Sequence, residues 1–217
     1  MSTALVFAAA PLQPTSRLVA RLADLDLLTV IAADDGATTA LAFGRTPDLV
    51  LGDFDSIHAA TLRELKRRQV PIETHPRDKN ATDGQLAIER ALQQGPSEVF
   101  LLGFLGGPRL DQAVANLLLL TTLTLPAVLL DEQNECRLLR PTDGPLRWIP
   151  EQGEVVSLIP LSPTVDGVRT AGLRWPLNDE SVYFGDTRGV SNEPLDTQPV
   201  TVQIASGLVL VTRHFPL

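Results

Sequence analysis

Short runs of valine, leucine and isoleucine recur through the first 130 residues, and segments with the spacing of amphipathic helices lie between them. The segment 111–123 shows this spacing because Val114, Leu117 and Leu118 fall on one helical face. Strands that alternate with helices predict a mostly parallel, doubly wound α/β sheet that is covered on both faces. The predicted strands are 5–9, 28–33, 49–51, 99–102 and 127–130, and the predicted helices are 16–25, 59–69, 83–94 and 111–123.

The helical spacing disappears after about residue 134, and short β-favouring runs take its place. Turn signals separate these runs, among them Asp143-Gly144 and Asp166-Gly167. This arrangement is typical of an all-β unit of the sandwich or barrel kind. We therefore expect an α/β domain at 1–133 and an all-β domain at 134–217. The predicted strands of the second half are 136–140, 146–149, 155–159, 183–184, 200–204 and 208–212.

Composition narrows the class of protein. The chain has 217 residues, of which 44% are hydrophobic and 20% charged, as expected of a globular protein with a core. Its formal net charge of −8 argues against nucleic-acid binding. The single cysteine, Cys136, excludes an intrachain disulfide and a multi-cysteine zinc site. No apolar run approaches the roughly 20 residues that span a bilayer, and no basic region precedes the first apolar run. We expect a cytoplasmic enzyme with no membrane partner.

The segment Gly52-Asp53-Phe54-Asp55-Ser56 directly follows a predicted buried strand. Carboxylates at positions i and i+2 are expected on one side of the backbone, and Gly52 permits a sharp exit from the sheet. Two like charges held this close favour a cation between them, and oxygen ligands suit Mg²⁺ that already carries phosphate. The alternative interpretation is a polar turn in which Ser56 caps the next helix.

Three further polar or glycine-rich clusters lie where predicted strands end, at 34–37, 78–83 and 103–112. In a parallel sheet all these exits lie along one edge, so we expect the clusters to converge. Taken singly, each has an ordinary explanation: Asp34 and Asp111 as helix caps, Lys79 as a surface charge and Gly106-Gly107 as a turn. Together they supply carboxylates for a metal, and backbone N–H groups and cations for phosphate.

This inventory favours transfer of a phosphorus group from a nucleotide, in which catalysis is mostly positioning and charge neutralisation. The sequence contains no Walker A loop and no kinase glycine loop, so the nucleotide site is expected to be of another type.

The order of the motifs resembles that of thiamine pyrophosphokinases, and the likeness covers nearly the whole chain. Residues 34–37 are similar to the family's Asp-Gly-Gly-Ala, and residues 52–56 match its Gly-Asp-Phe-Asp-Ser without change. Residues 78–83 resemble Asp-Lys-Asp-x-Thr-Asp, residues 106–116 resemble Gly-Gly-Arg-x-Asp-His-x-x-x-Asn, and residues 185–193 resemble a segment that borders the thiamine site.

The resemblance implies an α/β nucleotide domain at 1–133, a β-sandwich thiamine domain at 134–217 and a homodimer with thiamine bound between subunits. It implies transfer of the pyrophosphoryl group of ATP to the hydroxyethyl group of thiamine, with Mg²⁺ as cofactor and release of AMP. By resemblance, the metal ligands are Asp34, Asp53, Asp55 and Asp83, and the catalytic residues among them are Asp53, Asp55 and Asp83. The residues that face ATP are Asp34, Lys79, Gly106, Gly107, Arg109 and Asp111. The residues that face thiamine are Gln112, Asn116, Ser191 and Asn192.

The chain departs from the family pattern at several positions. Asp35 replaces a glycine, Asn80 replaces an acidic residue, and Pro108 is inserted in the Gly-Gly-Arg loop. Two alternatives therefore stay open: a pyrophosphokinase for another hydroxymethyl acceptor such as a pterin, and a catalytically silent thiamine or nucleotide sensor. The candidates for an aromatic that stacks on thiamine are Trp148, Trp175 and Tyr183, although we expect each to pack in the core.

Overall fold

A computed structural model describes residues 2–55, 57–78, 80–195 and 198–216. The fold is mixed α/β, with a large sheet and a separate antiparallel sheet of four strands. The chain divides into two compact units, residues 1–132 and residues 133–217. Among the described residues, no helix has the length and apolar composition that crossing a membrane requires.

Unit 1 alternates strands and helices, as its hydrophobic pattern predicts. Its strands pair in parallel in the order β4-β3-β2-β1-β5-β6. Strands β2 to β4 are added on one side of β1, and β5 and β6 on the other, so the strand order reverses between β1 and β5. Every predicted strand and helix of this half is present within a few residues. The elements are β1 Ser2–Phe7, α1 Ser16–Ala23, β2 Asp26–Ala33, α2 Gly36–Ala42, β3 Leu49–Gly52, α3 Ala59–Arg67, β4 Ile72–Thr74, α4 Asp83–Leu92, β5 Glu98–Leu102, α5 Leu110–Leu119, a 3-10 turn Leu120–Thr122 and β6 Ala127–Leu130.

The core of unit 1 follows from the run of apolar residues in β1. Leu5 and Phe7 are fully buried on one face of the sheet, and the intervening Val6 is fully buried on the other. A central parallel strand is covered on both faces, which is why it has no polar alternation. Helix α1 buries Leu18 and Leu22.

Unit 2 is antiparallel in both of its strand groups, β7-β13-β9 and β11-β10-β12-β8. Its core combines valines and leucines from both groups, for example Val156 with Val200. The elements are β7 Asn134–Leu139, a 3-10 turn Pro141–Asp143, β8 Leu146–Trp148, β9 Val155–Pro160, β10 Thr164–Ala171, β11 Asn178–Tyr183, β12 Val200–Gln203 and β13 Val209–His214.

The prediction of a turn at residues 166–167 was wrong. Asp166-Gly167 was expected to be a turn between strands, yet it lies inside β10, where the register with β11 shifts between Val165 and Val168. Gly167 has a φ of +64°, and a Cβ there would lie 2.5 Å from the Ala205 Cβ. The glycine therefore marks an irregularity within a strand, which is the other common role of glycine in sheets.

Candidate functional site

A cavity of about 590 Å³ opens at the carboxyl edge of the parallel sheet in unit 1. We call it the strand-end cavity. It lies beside the ends of β1 and β5, where the strand order reverses, and open α/β sheets bind ligands at that position. Its size is in the range of small-molecule sites. The lining residues are 8–11, 33, 34, 53, 77, 81–84, 103, 104, 106–109, 111–113, 115 and 116.

Asp34 and Gly52 form an interlocked pair at the ends of β2 and β3. The Asp34 N–H donates to the Leu51 carbonyl at 2.9 Å, and its carboxylate Oδ1 accepts from the Phe54 N–H at 3.2 Å. Gly52 has a φ of +147°, and a Cβ there would lie 1.8 Å from Asp34 Oδ1. The motif therefore needs glycine because the Asp34 carboxylate occupies the space of a side chain.

Two residues close to Gly52 have left-handed backbone conformations. Asp34 has a φ of +47° and Phe54 a φ of +59°, which are uncommon values for residues with a side chain. Such conformations persist only where the surrounding structure enforces them, and they cluster at functional sites.

The two aspartates of the motif have different surroundings. Asp53 lines the strand-end cavity, and its Oδ1 accepts from the Asp55 N–H at 3.1 Å. Asp55 is not among the lining residues, and its carboxylate is 56% exposed. The two aspartates therefore differ in exposure, and their placement on one side of the backbone stays a prediction from the sequence.

Helix α4 begins at the cavity and carries Asp83 in its first turn. Thr82 caps the helix, with its hydroxyl accepting from the Gln85 N–H at 3.1 Å. A helix N-terminus is a favourable place for an acidic side chain, and Asp83 is the acidic residue of the first turn. Gly84 follows because a Cβ there would lie 3.0 Å from the Phe104 ring. The structure therefore brings Asp83 to the same cavity as Asp34 and Asp53.

The loop between β5 and α5 forms another wall of the cavity. Gly103 has a φ of +71°, and a Cβ there would lie 2.2 Å from the Ala8 carbonyl oxygen. Gly106 and Gly107 also have positive φ values and line the cavity. Asn116 fixes the loop to helix α5, because its Nδ2 donates to the Phe104 carbonyl at 2.7 Å.

Arg109 and Asp111 pair with each other at the start of α5. Nε and Nη2 of Arg109 donate to the two carboxylate oxygens of Asp111 at 2.8 and 2.6 Å. These hydrogen bonds from Arg109 lower the pKa of Asp111 to about 2. Both residues line the cavity, together with Gln112, so the guanidinium of Arg109 already has a carboxylate partner at the site.

The carboxylates of the cavity suit a hard divalent cation. Asp34, Asp53 and Asp83 offer oxygen donors to one space, and this donor type is the one that Mg²⁺ prefers. Across 2–55, 57–78, 80–195 and 198–216, however, no three histidine, cysteine or acidic side chains lie close enough together to hold a metal ion. A cation would therefore need further oxygen ligands, and phosphate and water are the ligands that Mg²⁺ commonly retains.

Arg77 also lines the cavity, and the sequence analysis did not select it. Its signal in the sequence was its position directly before Asp78-Lys79, between β4 and α4. The backbone after β1, including Ala8 and Ala10, was missed as well, because small apolar residues carry no chemical signal. Lys79 and Ser56 lie outside the described residues.

The two predicted thiamine-side residues of unit 2 lie next to strand β9. Asn192 is buried and exchanges backbone hydrogen bonds with Val156 at 2.8 Å each. Ser191 has a φ of +59°, and its N–H donates to the Ser157 hydroxyl at 3.0 Å.

The side chain of Asn192 holds the backbone of Trp175. Its Oδ1 accepts from the Trp175 N–H at 3.1 Å, and its Nδ2 donates to the Trp175 carbonyl at 2.7 Å. The Trp175 side chain is 45% exposed, and the Arg174 guanidinium lies 5.0 Å from the centre of its ring. Core packing was therefore the wrong expectation for Trp175, and also for Tyr183, which is 53% exposed.

Comparison with known proteins identifies the family. A model of the thiamin pyrophosphokinase catalytic domain matches residues 26–128, and a model of the thiamin pyrophosphokinase vitamin B1 binding domain matches residues 146–209. The chain belongs to the thiamine pyrophosphokinase family.

Individual relatives agree with this assignment. The chain is 28% identical over 186 residues to a thiamine pyrophosphokinase of Bacillus subtilis (strain 168), with 84% of this chain and 86% of the relative covered. A crystal structure of a Bacillus subtilis thiamine pyrophosphokinase has a TM-score of 0.85 and 27% identity over the full length of both chains. One from Geobacillus thermodenitrificans has a TM-score of 0.82 and 28% identity, with all of this chain and 98% of the other covered. These matches do not support the pterin or sensor alternatives.

Proposed function

We propose that this enzyme is a thiamine diphosphokinase, which transfers the pyrophosphoryl group of ATP to the hydroxyethyl group of thiamine and releases AMP. The observation that carries the proposal is the carboxylate-lined cavity at the strand-order reversal of unit 1, in a chain whose halves match the catalytic and vitamin B1 binding domains of one family.

In this proposal the strand-end cavity binds ATP together with a divalent cation. Asp34, Asp53 and Asp83 hold Mg²⁺, which when bound neutralises phosphate charge. We propose that Asp55 joins them. Gly106 and Gly107 let backbone N–H groups approach the phosphates, with Arg109 and Asp111 in the same loop. Lys79 keeps its proposed role facing ATP. Catalysis then rests on positioning and charge neutralisation, as in other phosphoryl transfers.

The proposed thiamine contacts are Ser191 and Asn192 in unit 2, with Gln112 and Asn116 in unit 1. Asn192 acts partly through Trp175, because it holds that backbone while the ring stays exposed. An exposed aromatic face suits a flat cationic ligand such as thiamine. We accordingly propose that 1–133 is the nucleotide and magnesium domain and 134–217 the thiamine domain.

The finer descriptions of fold and assembly are also proposals. The reversal between β1 and β5 supports a doubly wound unit 1, and the shared core of two strand groups supports a sandwich for unit 2. A homodimer is supported by an apolar stripe on α5, where Leu110, Val114 and Leu118 are 77%, 46% and 49% exposed. A cytoplasmic location stays a prediction from the sequence.

The test is the formation of AMP and thiamine diphosphate from ATP and thiamine, separated by chromatography, with and without Mg²⁺. We expect both products in equal amounts, dependence on a divalent cation and no AMP when a hydroxymethyl pterin replaces thiamine. Absence of AMP with thiamine and Mg²⁺ would contradict the proposed function, whereas AMP formation with the pterin alone would reassign the acceptor.

A further inference from the structure

The strand-end cavity has more negative than positive side chains, although its proposed ligand is a polyanion. Its described lining contains four carboxylates, Asp34, Asp53, Asp83 and Asp111, and two guanidinium groups, Arg77 and Arg109. A triphosphate can enter only if cations offset this charge. A divalent cation would supply part of the offset, and among the described lining residues Arg77 and Arg109 are the cationic groups that can add to it.

The two arginines differ in how firmly they are held. Arg109 makes two short hydrogen bonds to Asp111, at 2.8 and 2.6 Å. These bonds use two of the N–H groups with which a guanidinium binds phosphate. Arg77 approaches the Asp55 carboxylate only to 3.8 Å, from Nη1 to Oδ2, and its side chain is 86% exposed. An exposed ion pair of this length contributes little to stability, so the guanidinium can exchange its partner at small cost.

We infer that Arg77 is a phosphate-binding residue of the strand-end cavity, which passes from the Asp55 carboxylate to the β- and γ-phosphates when nucleotide binds. The exchange conserves charge pairing, because Arg77 gains phosphate oxygens while Asp55 becomes available to the divalent cation that accompanies them. This inference rests on the proposed function and adds a residue that the motifs did not select.

The test compares the dissociation constants of a non-hydrolysable Mg²⁺–ATP analogue and of AMP, measured by calorimetry on the full chain. In Arg77→Ala we expect binding of the ATP analogue to weaken by at least about tenfold, since a hydrogen bond between charged groups is lost. Binding of AMP should change by less than about twofold, because AMP lacks the outer phosphates. Arg77→Lys should recover part of the affinity, since lysine keeps the charge but not the fork.

Arg63→Ala is the matched control, because Arg63 is an exposed arginine of α3 that is not part of the cavity lining. It should bind both nucleotides as the parent does. The inference is overturned if Arg77→Ala binds the ATP analogue as tightly as the parent, or if it loses affinity equally for the ATP analogue and AMP. Failure of the parent itself to bind the ATP analogue would instead contradict the proposed function, and this inference with it.

Discussion

Two arginine–carboxylate pairs, Arg213–Glu154 in unit 2 and Arg77–Asp55 in unit 1, differ strongly in burial and in hydrogen bonding. In unit 2, Nε and Nη2 of Arg213 donate to the two carboxylate oxygens of Glu154, each at 2.8 Å. The Glu154 side chain has no solvent exposure and also accepts from the Trp148 indole at 2.8 Å and the Glu151 N–H at 3.0 Å. In unit 1, Arg77 and Asp55 lie 3.8 Å apart and are mostly exposed.

Aromatic rings complete the buried pair. The Arg213 guanidinium lies 5.1 Å from the centre of the Trp148 ring and 5.0 Å from that of Phe215. Burial acts to lower the pKa of Arg213, but its hydrogen bonds to Glu154 and the nearby charge of Glu135 outweigh burial, so the pKa is raised. Arg213 therefore stays protonated inside the unit.

The difference between the two pairs separates structure from function. A buried pair cannot lose one partner without leaving an uncompensated charge, which is strongly destabilising. A long, exposed pair at a cavity can exchange partners freely. The buried Arg213–Glu154 pair therefore suits a structural role, whereas the exposed Arg77–Asp55 pair suits an exchange of partners.

The largest expected effect comes from breaking the buried pair. Glu154→Gln keeps the shape of the side chain but leaves the Arg213 charge without its main partner, so we expect a loss of about 3–5 kcal/mol in the free energy of unfolding. Urea denaturation followed by tryptophan fluorescence measures this loss. Asp179→Asn is the control, because it breaks the exposed pair with Arg169 and should leave the midpoint unchanged. Equal midpoints for both variants would show that the buried pair contributes no more to stability than the exposed pair.

The next largest effect is expected in catalysis, from Asp83→Asn, with the free energy of unfolding nearly unchanged. Asp83→Asn removes a negative charge from the strand-end cavity while the side chain keeps its size. Because a charged group at the reacting phosphates is lost, we expect turnover to fall by about 100- to 1000-fold. AMP release under saturating Mg²⁺, ATP and thiamine measures it. Glu89→Gln on the same helix makes the same charge change away from the cavity and should retain the parent rate. A rate within twofold of the parent for Asp83→Asn would exclude Asp83 from the metal and phosphate site.

Much of the candidate site could be predicted because a motif that follows a parallel strand lies at a known edge of the sheet. Parallel strands place all their carboxyl ends on one edge, so clusters far apart in sequence had to converge. The structure places Asp34, Asp53 and Asp83 on one cavity with the loop of Gly106 and Gly107. The alternation of strands and helices was equally readable, since buried parallel strands are continuous apolar runs.

The parts that could not be predicted depend on single backbone angles. Phe54 has a left-handed conformation, and its N–H donates to the carboxylate of Asp34, which is distant in sequence. Asp166-Gly167 has the composition of a turn, but pairing with β11 makes it a strand irregularity. Such choices are decided by tertiary contacts, which local composition does not encode.

A smaller effect is expected where the backbone itself shapes the cavity. Gly52→Ala places a Cβ against the Asp34 carboxylate at a φ of +147°, so the carboxylate must move or the turn must open. We expect a loss of about 1–3 kcal/mol in unfolding free energy, together with weaker binding of Mg²⁺–ATP. Gly44→Ala is the control, since Gly44 also has a positive φ, +69°, but no atom within 4 Å of an added Cβ. Equal nucleotide binding in the two variants would show that the Asp34 position is unimportant.

The smallest expected effect is the acid titration of the exposed pair at Arg109. Hydrogen bonds from Arg109 lower the pKa of Asp111 from 3.8 to about 2, so the pair is fully formed above about pH 4 and is lost as the pH falls through 2. Carboxyl carbon NMR shifts of Asp111 measure this, and Arg109→Ala should return the pKa toward 3.8. Because both groups are largely exposed, the change should be visible in the Asp111 signal and not in the unfolding midpoint. If Asp111 titrates near 3.8 in the parent, Arg109 is not held by Asp111 in solution, and both arginines of the cavity are then available to phosphate.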